Sequence, residues 1–187
     1  MIDVPVKRIC VFCGSRSGAR PQYSEAARDL AGELLKRRIG LVYGGASVGI
    51  MGEIADTMRA GGGEVIGVIP QSLVEREIAH PNLSELRVVN SMHERKQLMA
   101  DLADGFIALP GGLGTLDELF EALTWAQLGF HAKPCALVNT SGYYDHLSAF
   151  LAHAATEKFV AHNHSSMLYI DAQPARILEL FADHAAT

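Results

Sequence analysis

A chain of 187 residues, 49% hydrophobic and 20% charged, is long enough to bury a sizeable core and reads as one globular domain over residues 1–187. Its formal net charge of −5, with no block of lysine or arginine, argues against a protein that grips a nucleic-acid backbone. The opening MIDVPVKRICVF lacks the apolar core and cleavage site of a secretory signal, and no apolar stretch reaches membrane-spanning length, so the expectation is a cytoplasmic protein with no membrane or nucleic-acid partner.

The first predicted element is RICVFC, Arg8–Cys13, apolar throughout and therefore a strand covered on both faces. Cys10 and Cys13 form a C-x-x-C there, but positions three apart on a strand point to opposite faces. The two thiols diverge and read as small core residues, not as a redox or metal pair. Further strands follow at Gly40–Tyr43, Glu64–Ile69, Leu86–Asn90, Gly105–Leu109, Cys135–Asn139 and Met167–Ile170. Helical patterns occupy Tyr23–Arg37, Val48–Arg59, Met92–Ala103, Thr115–Leu128, Tyr144–Ala155 and Pro174–Asp183. The alternation predicts an α/β fold: a Rossmann-like, doubly wound, mainly parallel sheet flanked by helices. Ligands of such sheets bind beyond the carboxyl ends of the strands. Several of those ends carry small residues: Gly14-Ser15, Gly44-Gly45, Asn90-Ser91 and Pro110-Gly111-Gly112. One such loop needs only a tight turn, but several together favour a ligand approached closely by backbone amides.

Familiar nucleotide signatures fail on specific residues. After the first strand stands GSRSG in place of G-x-G-x-x-G, and the second strand ends in YGG with no acid for a ribose. Gly44 and Gly49 have the glycine spacing of a P-loop, but Ile50 stands where its lysine belongs. His93-Glu94 is followed by Gln97 where a zinc helix needs its second histidine. His162 and His164 lack a nearby cysteine or acid and read as a solvated loop; no metal site is expected.

LPGGLGTLDEL, residues 109–119, joins an anion-friendly loop to two carboxylates. Gly111, Gly112, Gly114 and Thr115 precede a helix whose free N–H groups favour a phosphate. Thr115 and Glu118 also have the spacing of a capping box, with Thr115 as N-cap, which would explain the pair without any chemistry. Upstream, Ser91 and Glu94 make a second capping box. Arg95 and Lys96 then fall in the first turn, against the helix dipole and on the inward face with Met92, Met99 and Leu102. An inward arginine there needs an anionic partner: Glu118 or Glu94, or a bound phosphate. Either places Arg95 against the loop after the fifth strand. A ligand with a phosphate tail and a centre that becomes positive, such as a sugar passing through an oxocarbenium ion, satisfies both loop and carboxylates.

P-G-G-x-G-T-x-x-E at Pro110–Glu118, with E-R-K at Glu94–Lys96 and Y-G-G-x-x-x-G-x-M-G at Tyr43–Gly52, resembles the Lonely Guy family. These are cytokinin riboside 5′-monophosphate phosphoribohydrolases, long mislabelled lysine decarboxylases. The resemblance runs from Gly14-Ser15 to about Pro134. It implies a Rossmann-like homodimer that hydrolyses the N-glycosidic bond of N⁶-substituted adenosine 5′-monophosphates, with no metal or organic cofactor. It further implies that Arg95 and Glu118 are the catalytic pair and that Lys96, the Gly111–Glu118 loop, Thr124 and Glu77 contact the nucleotide. Ala46 departs from the glycine usual in the family, which matters only if that backbone needs a positive φ.

The segment LFEALTWAQLGF is apolar on nearly every side (Leu119, Phe120, Leu123, Trp125, Ala126, Leu128) and predicts a subunit interface. Two other functions compete with hydrolysis. A nucleotide or cofactor carrier would keep the anion loop but need not pair Arg95 with Glu118. A decarboxylase would need a pyridoxal phosphate lysine, and near the site only Lys96 is available.

Overall fold

The computed structural model describes residues 6–74, 76, 79–160 and 167–185. Among these, seven strands form one parallel sheet: β1 Arg8–Phe12, β2 Gly40–Tyr43, β3 Val65–Pro70, β4 Glu85–Val89, β5 Gly105–Ala108, β6 Cys135–Val138 and β7 Leu168–Asp171. The helices are α1 Pro21–Arg37, α2 Gly49–Ala60, α3 Gln71–Val74, α4 Met92–Leu102, α5 Leu113–Gln127, α6 Asp145–Thr156 and α7 Pro174–Ala185. The predicted strands and long helices are present, their ends shifted by one or two residues. Only α3 and a 3₁₀ turn at Thr140–Gly142 are unanticipated; both are too short to show a period.

The sheet order is β4-β3-β2-β1-β5-β6-β7. The chain winds outward from β1 to β4, then returns through α4 to lay β5 on the other side of β1. The order thus reverses between β1 and β5, which opens a crevice at their carboxyl ends. Residues alternate across the strands. Ile9, Val11 and Cys13 pack with Leu30 and Leu34 of α1, Ile54 and Met58 of α2 and Phe181 of α7. Cys10 and Phe12 face the opposite layer, with Met99 of α4, Leu119 of α5 and Tyr144 before α6. Cys10 and Cys13 therefore lie on opposite faces, as their spacing predicts. Burial pushes both thiols well above their ordinary range, so they are inert core groups.

Ser91 caps α4 as predicted. Its hydroxyl accepts from Glu94 N at 3.1 Å, and the Glu94 carboxylate accepts from Asn90 N at 2.8 Å. The Thr115–Glu118 capping box does not form. Helix α5 starts two residues earlier, at Leu113, with Gly112 at the N-cap, so Thr115 is the third helical residue. The local pattern is overridden because Glu118 is drawn inward to a tertiary partner, and Thr115 packs against Gly111.

Candidate active site

A cleft of about 550 Å³ lies at the switch point and takes residues from three of the four small-residue loops that the sequence singles out, those after β1, β2 and β5; Asn90 and Ser91 after β4 do not line it. Gly14, Ser15, Gly44, Arg95, Gly111, Gly112, Gly114, Thr115 and Glu118 all line it. The loops after β1 and β5 are stitched together by Gly14 N donating to Pro110 O at 3.2 Å. Beyond them, the N–H groups of Leu113, Gly114 and Thr115 belong to the first turn of α5, where no carbonyl of the same helix can accept them. Thr115 is buried at 3% exposure, in space that exists only because Gly111 has no side chain: a Cβ there would collide with the threonine hydroxyl.

Arg95 and Glu118 form the floor. Both are over nine-tenths buried, and Arg95 Nη1 donates to Glu118 Oε1 at 2.7 Å. Arg95 Nε donates to the carbonyl of Val68 on β3 at 2.9 Å. Its Nη2 lies against Gly44, where any Cβ would strike it and would also come within 2.9 Å of Met51 Sδ. The guanidinium is thus held on three sides, a cation fixed in orientation before any ligand arrives. Of the two carboxylates the sequence leaves open for Arg95, the structure selects Glu118. Burial raises the Glu118 carboxyl above its ordinary value, and the neighbouring Arg95 offsets this only in part.

Three sequence-predicted residues, Lys96, Gly45 and Thr124, sit apart from this arrangement. Lys96 Nζ is 3.1 Å from Asp117 Oδ2 and 3.1 Å from Glu121 Oε1, so its charge ties α4 to the outer side of α5. Those carboxylates hold its ammonium more strongly protonated, against the opposing effect of burial. Asp117 accordingly faces Lys96, and of the two carboxylates behind the loop only Glu118 reaches the cleft. Gly45 has φ +81, and its carbonyl accepts from His80 N at 3.0 Å; it shapes the turn after β2. Ala46 needs no positive φ, so the departure from glycine costs nothing there. Thr124 bonds its own helix at Phe120 O, 2.6 Å away, and lines a separate apolar groove of about 260 Å³ with Phe120, Leu123, Leu151 and Ile170. Glu77 lies outside the described residues, as do His162 and His164. Among the described residues no cluster of His, Cys, Asp or Glu has a metal-binding arrangement.

Two residues at the cleft carry no sequence signal. Arg16, exposed in the loop after β1, lines the cleft and forms no ion pair among the described residues. Tyr143, just after the 3₁₀ turn, lines it from the β6 side. Neither belongs to a periodic element, and the partner loop of Tyr143 is some thirty residues away in the chain.

Comparison with known proteins gives the site its context. The family model described as possible lysine decarboxylase matches residues 51–181. A cytokinin riboside 5′-monophosphate phosphoribohydrolase of Arabidopsis thaliana is 55% identical over 155 residues, 83% of this chain and 71% of the relative. One from Oryza sativa subsp. japonica is 50% identical over 174 residues, 93% of this chain and 72% of the relative. Among solved structures, a molybdenum cofactor binding protein from Rippkaea orientalis superposes with a TM-score of 0.72 at 23% identity, covering 96% of this chain and 98% of its own. The molybdenum cofactor carrier of Chlamydomonas reinhardtii gives 0.71 at 20%, covering 98% and 100%. At such identities these two show the shared fold alone. The plant enzymes, by contrast, match at half or more of the aligned positions over most of the chain, and with the family model they place this protein in the Lonely Guy family, whose older description as a lysine decarboxylase persists in the name of that model.

Proposed function

We propose that this protein hydrolyses the N-glycosidic bond of adenosine 5′-monophosphates, including N⁶-substituted ones, giving the free base and ribose 5-phosphate. The reading rests above all on the buried Arg95–Glu118 pair, set on the floor of a cleft whose far wall is the amide-rich start of α5. Relatives of half-identical sequence are named as phosphoribohydrolases of cytokinin riboside 5′-monophosphates. The phosphate binds the first-turn amides and the Thr115 hydroxyl, with Arg16, which forms no ion pair among the described residues, as a cation to neutralise it. That anchoring holds the ribose above Glu118. As the bond to the base lengthens, positive charge grows on the anomeric carbon and ring oxygen, and the buried Glu118 carboxylate at the floor of the cleft stabilises it. Water supplies hydroxide to the anomeric carbon, and the base departs with a proton. Arg95 keeps the carboxylate aimed. The reaction calls for no redox or carbonyl cofactor.

The test is direct: purified protein incubated with AMP and with its isopentenyl analogue should release free base and ribose 5-phosphate in equal amounts. Release from neither substrate would reject the reading.

The reactive form of Glu118 is the anion. Because burial raises its value above the ordinary 4.5, protonation removes activity at a pH where an exposed glutamate stays ionised. The acid limb of a kcat/KM profile should therefore lie above the ordinary carboxylate range. The linkage to folding follows from the same shift. The folded state holds this proton more tightly than the unfolded chain, so its stabilising contribution is full below the unfolded value and is lost as pH rises through the raised folded value. An acid limb at or below the ordinary value would show that Arg95 cancels the effect of burial.

We further place the enzyme in the cytoplasm as a homodimer. Among the described residues no helix is long and apolar enough to cross a membrane. The outer side of α5 supports a partner: Leu128 is 60% and Phe130 74% exposed, beside the groove formed with Phe120 and Leu123. Sedimentation at micromolar concentration should give twice the chain mass; a monomer would remove the dimer from this account.

A further inference from the structure

Three consecutive carbonyls in the loop after β5 are each occupied by a donor from elsewhere. Tyr144 Oη donates to Leu109 O at 2.7 Å, Gly14 N to Pro110 O at 3.2 Å, and Tyr143 Oη to Gly111 O at 2.6 Å. In a trans peptide the C=O and the following N–H point in opposite directions. Fixing the Gly111 carbonyl therefore fixes the direction of the Gly112 N–H. An anion is repelled by a carbonyl oxygen and held by an amide, so the choice between the two faces of this peptide decides whether the loop can receive a phosphate.

The two tyrosines differ in kind. Tyr144 is 2% exposed and belongs to the core. Tyr143 is 41% exposed and lines the cleft, so core packing does not account for it. Its ring meets Tyr23 edge-on at 5.4 Å, and Tyr23 in turn lies over Gly18, where a Cβ would come within 2.6 Å of the ring. Tyr143 thus reaches the loop after β5 through its hydroxyl and the first turn of α1 through its ring, and Tyr23 there carries the contact on to Gly18 in the loop after β1. The turn that presents it holds Ser141 at φ 54 and Gly142 at φ 71, both in the left-handed region.

We propose that Tyr143 is a positioning residue of the phosphate subsite: its hydroxyl draws the Gly111 carbonyl away from the ligand and leaves the Gly112 amide facing it. This rests on the reading that the substrate's phosphate occupies that cradle. Tyr143→Phe keeps the ring and its aromatic neighbours and removes only the hydroxyl. Measured by calorimetry in the Glu118→Gln background, where turnover is suppressed, its affinity for AMP should fall roughly three- to tenfold, the value of one hydrogen bond. Its affinity for adenosine, which lacks the phosphate, and its melting temperature should stay as in Glu118→Gln alone. Tyr143→Ala removes the ring as well and should weaken AMP further. Equal weakening of AMP and adenosine, or unchanged AMP affinity, would overturn the proposal, as would a Glu118→Gln parent with no preference for AMP over adenosine. A wild type that binds AMP without cleaving it would reject the hydrolase and leave this comparison readable.

Discussion

Glu118→Gln should lower turnover of the monophosphate by about 10²–10³-fold, while the protein still folds and still binds AMP. The glutamine side chain has nearly the same shape, and its oxygen can accept from Arg95 Nη1, now 2.7 Å from Glu118 Oε1, so the floor of the cleft keeps its packing. What it loses is the negative charge. A neutral amide does not stabilise a sugar whose anomeric centre becomes cationic. With the phosphate held, as proposed, by other groups at the start of α5 and in the loop after β1, the loss should fall on turnover rather than affinity. Release of base assayed beside calorimetric titration with AMP separates the two. Full turnover in the variant would reduce Glu118 to a structural counter-ion.

Arg95→Met should be the most destabilising single change at the site. It leaves the Glu118 carboxylate buried without its cation and removes the donor to the Val68 carbonyl. Breaking a buried pair from one side costs about 3–5 kcal/mol, which in a chain of this size lowers the melting temperature by roughly 6–20 °C. Arg95→Met combined with Glu118→Leu, which removes both charges, should recover most of that stability and none of the turnover. Thermal unfolding of the two variants provides the comparison. If the single variant melts like the wild type, the pair does not carry the electrostatic load assigned to it here. The contrast between the variants is the informative result, since it separates a pair kept for stability from one kept for chemistry.

How much of this was readable in the residues depends on the range of the interaction. Ser91 and Glu94 form their cap because every participant lies within one turn, and short-range geometry is what a sequence pattern encodes. Arg95 was legible as an inward cation because helical period places it beside Met99 and against the dipole. Thr115 and Glu118 carry the same capping pattern, yet the outcome differs, because a glycine at 112 lets the helix begin early and Arg95, 23 residues upstream, claims the carboxylate. The resemblance set Lys96 at the nucleotide beside Arg95; one step along a helix rotates a side chain by about 100°, and here the ammonium meets Asp117 and Glu121. Arg16 and Tyr143 sit on irregular backbone, where no period reveals which way a side chain points. The family resemblance supplied Glu118 and Arg95 with roles; it had nothing to say about the groups that aim the loop.

The crossover that creates the switch point also delivers the arginine. Helix α4 follows edge strand β4 and must travel back over β3, β2 and β1 to reach β5, and it packs against all of them. Any chain with this strand order must bring a helix past the mouth of the crevice. What that helix displays there is a separate matter, settled by a single side chain. The architecture therefore fixes where a side chain of α4 meets the crevice, while the choice of side chain, here Arg95, belongs to the sequence and leaves the sheet beneath untouched.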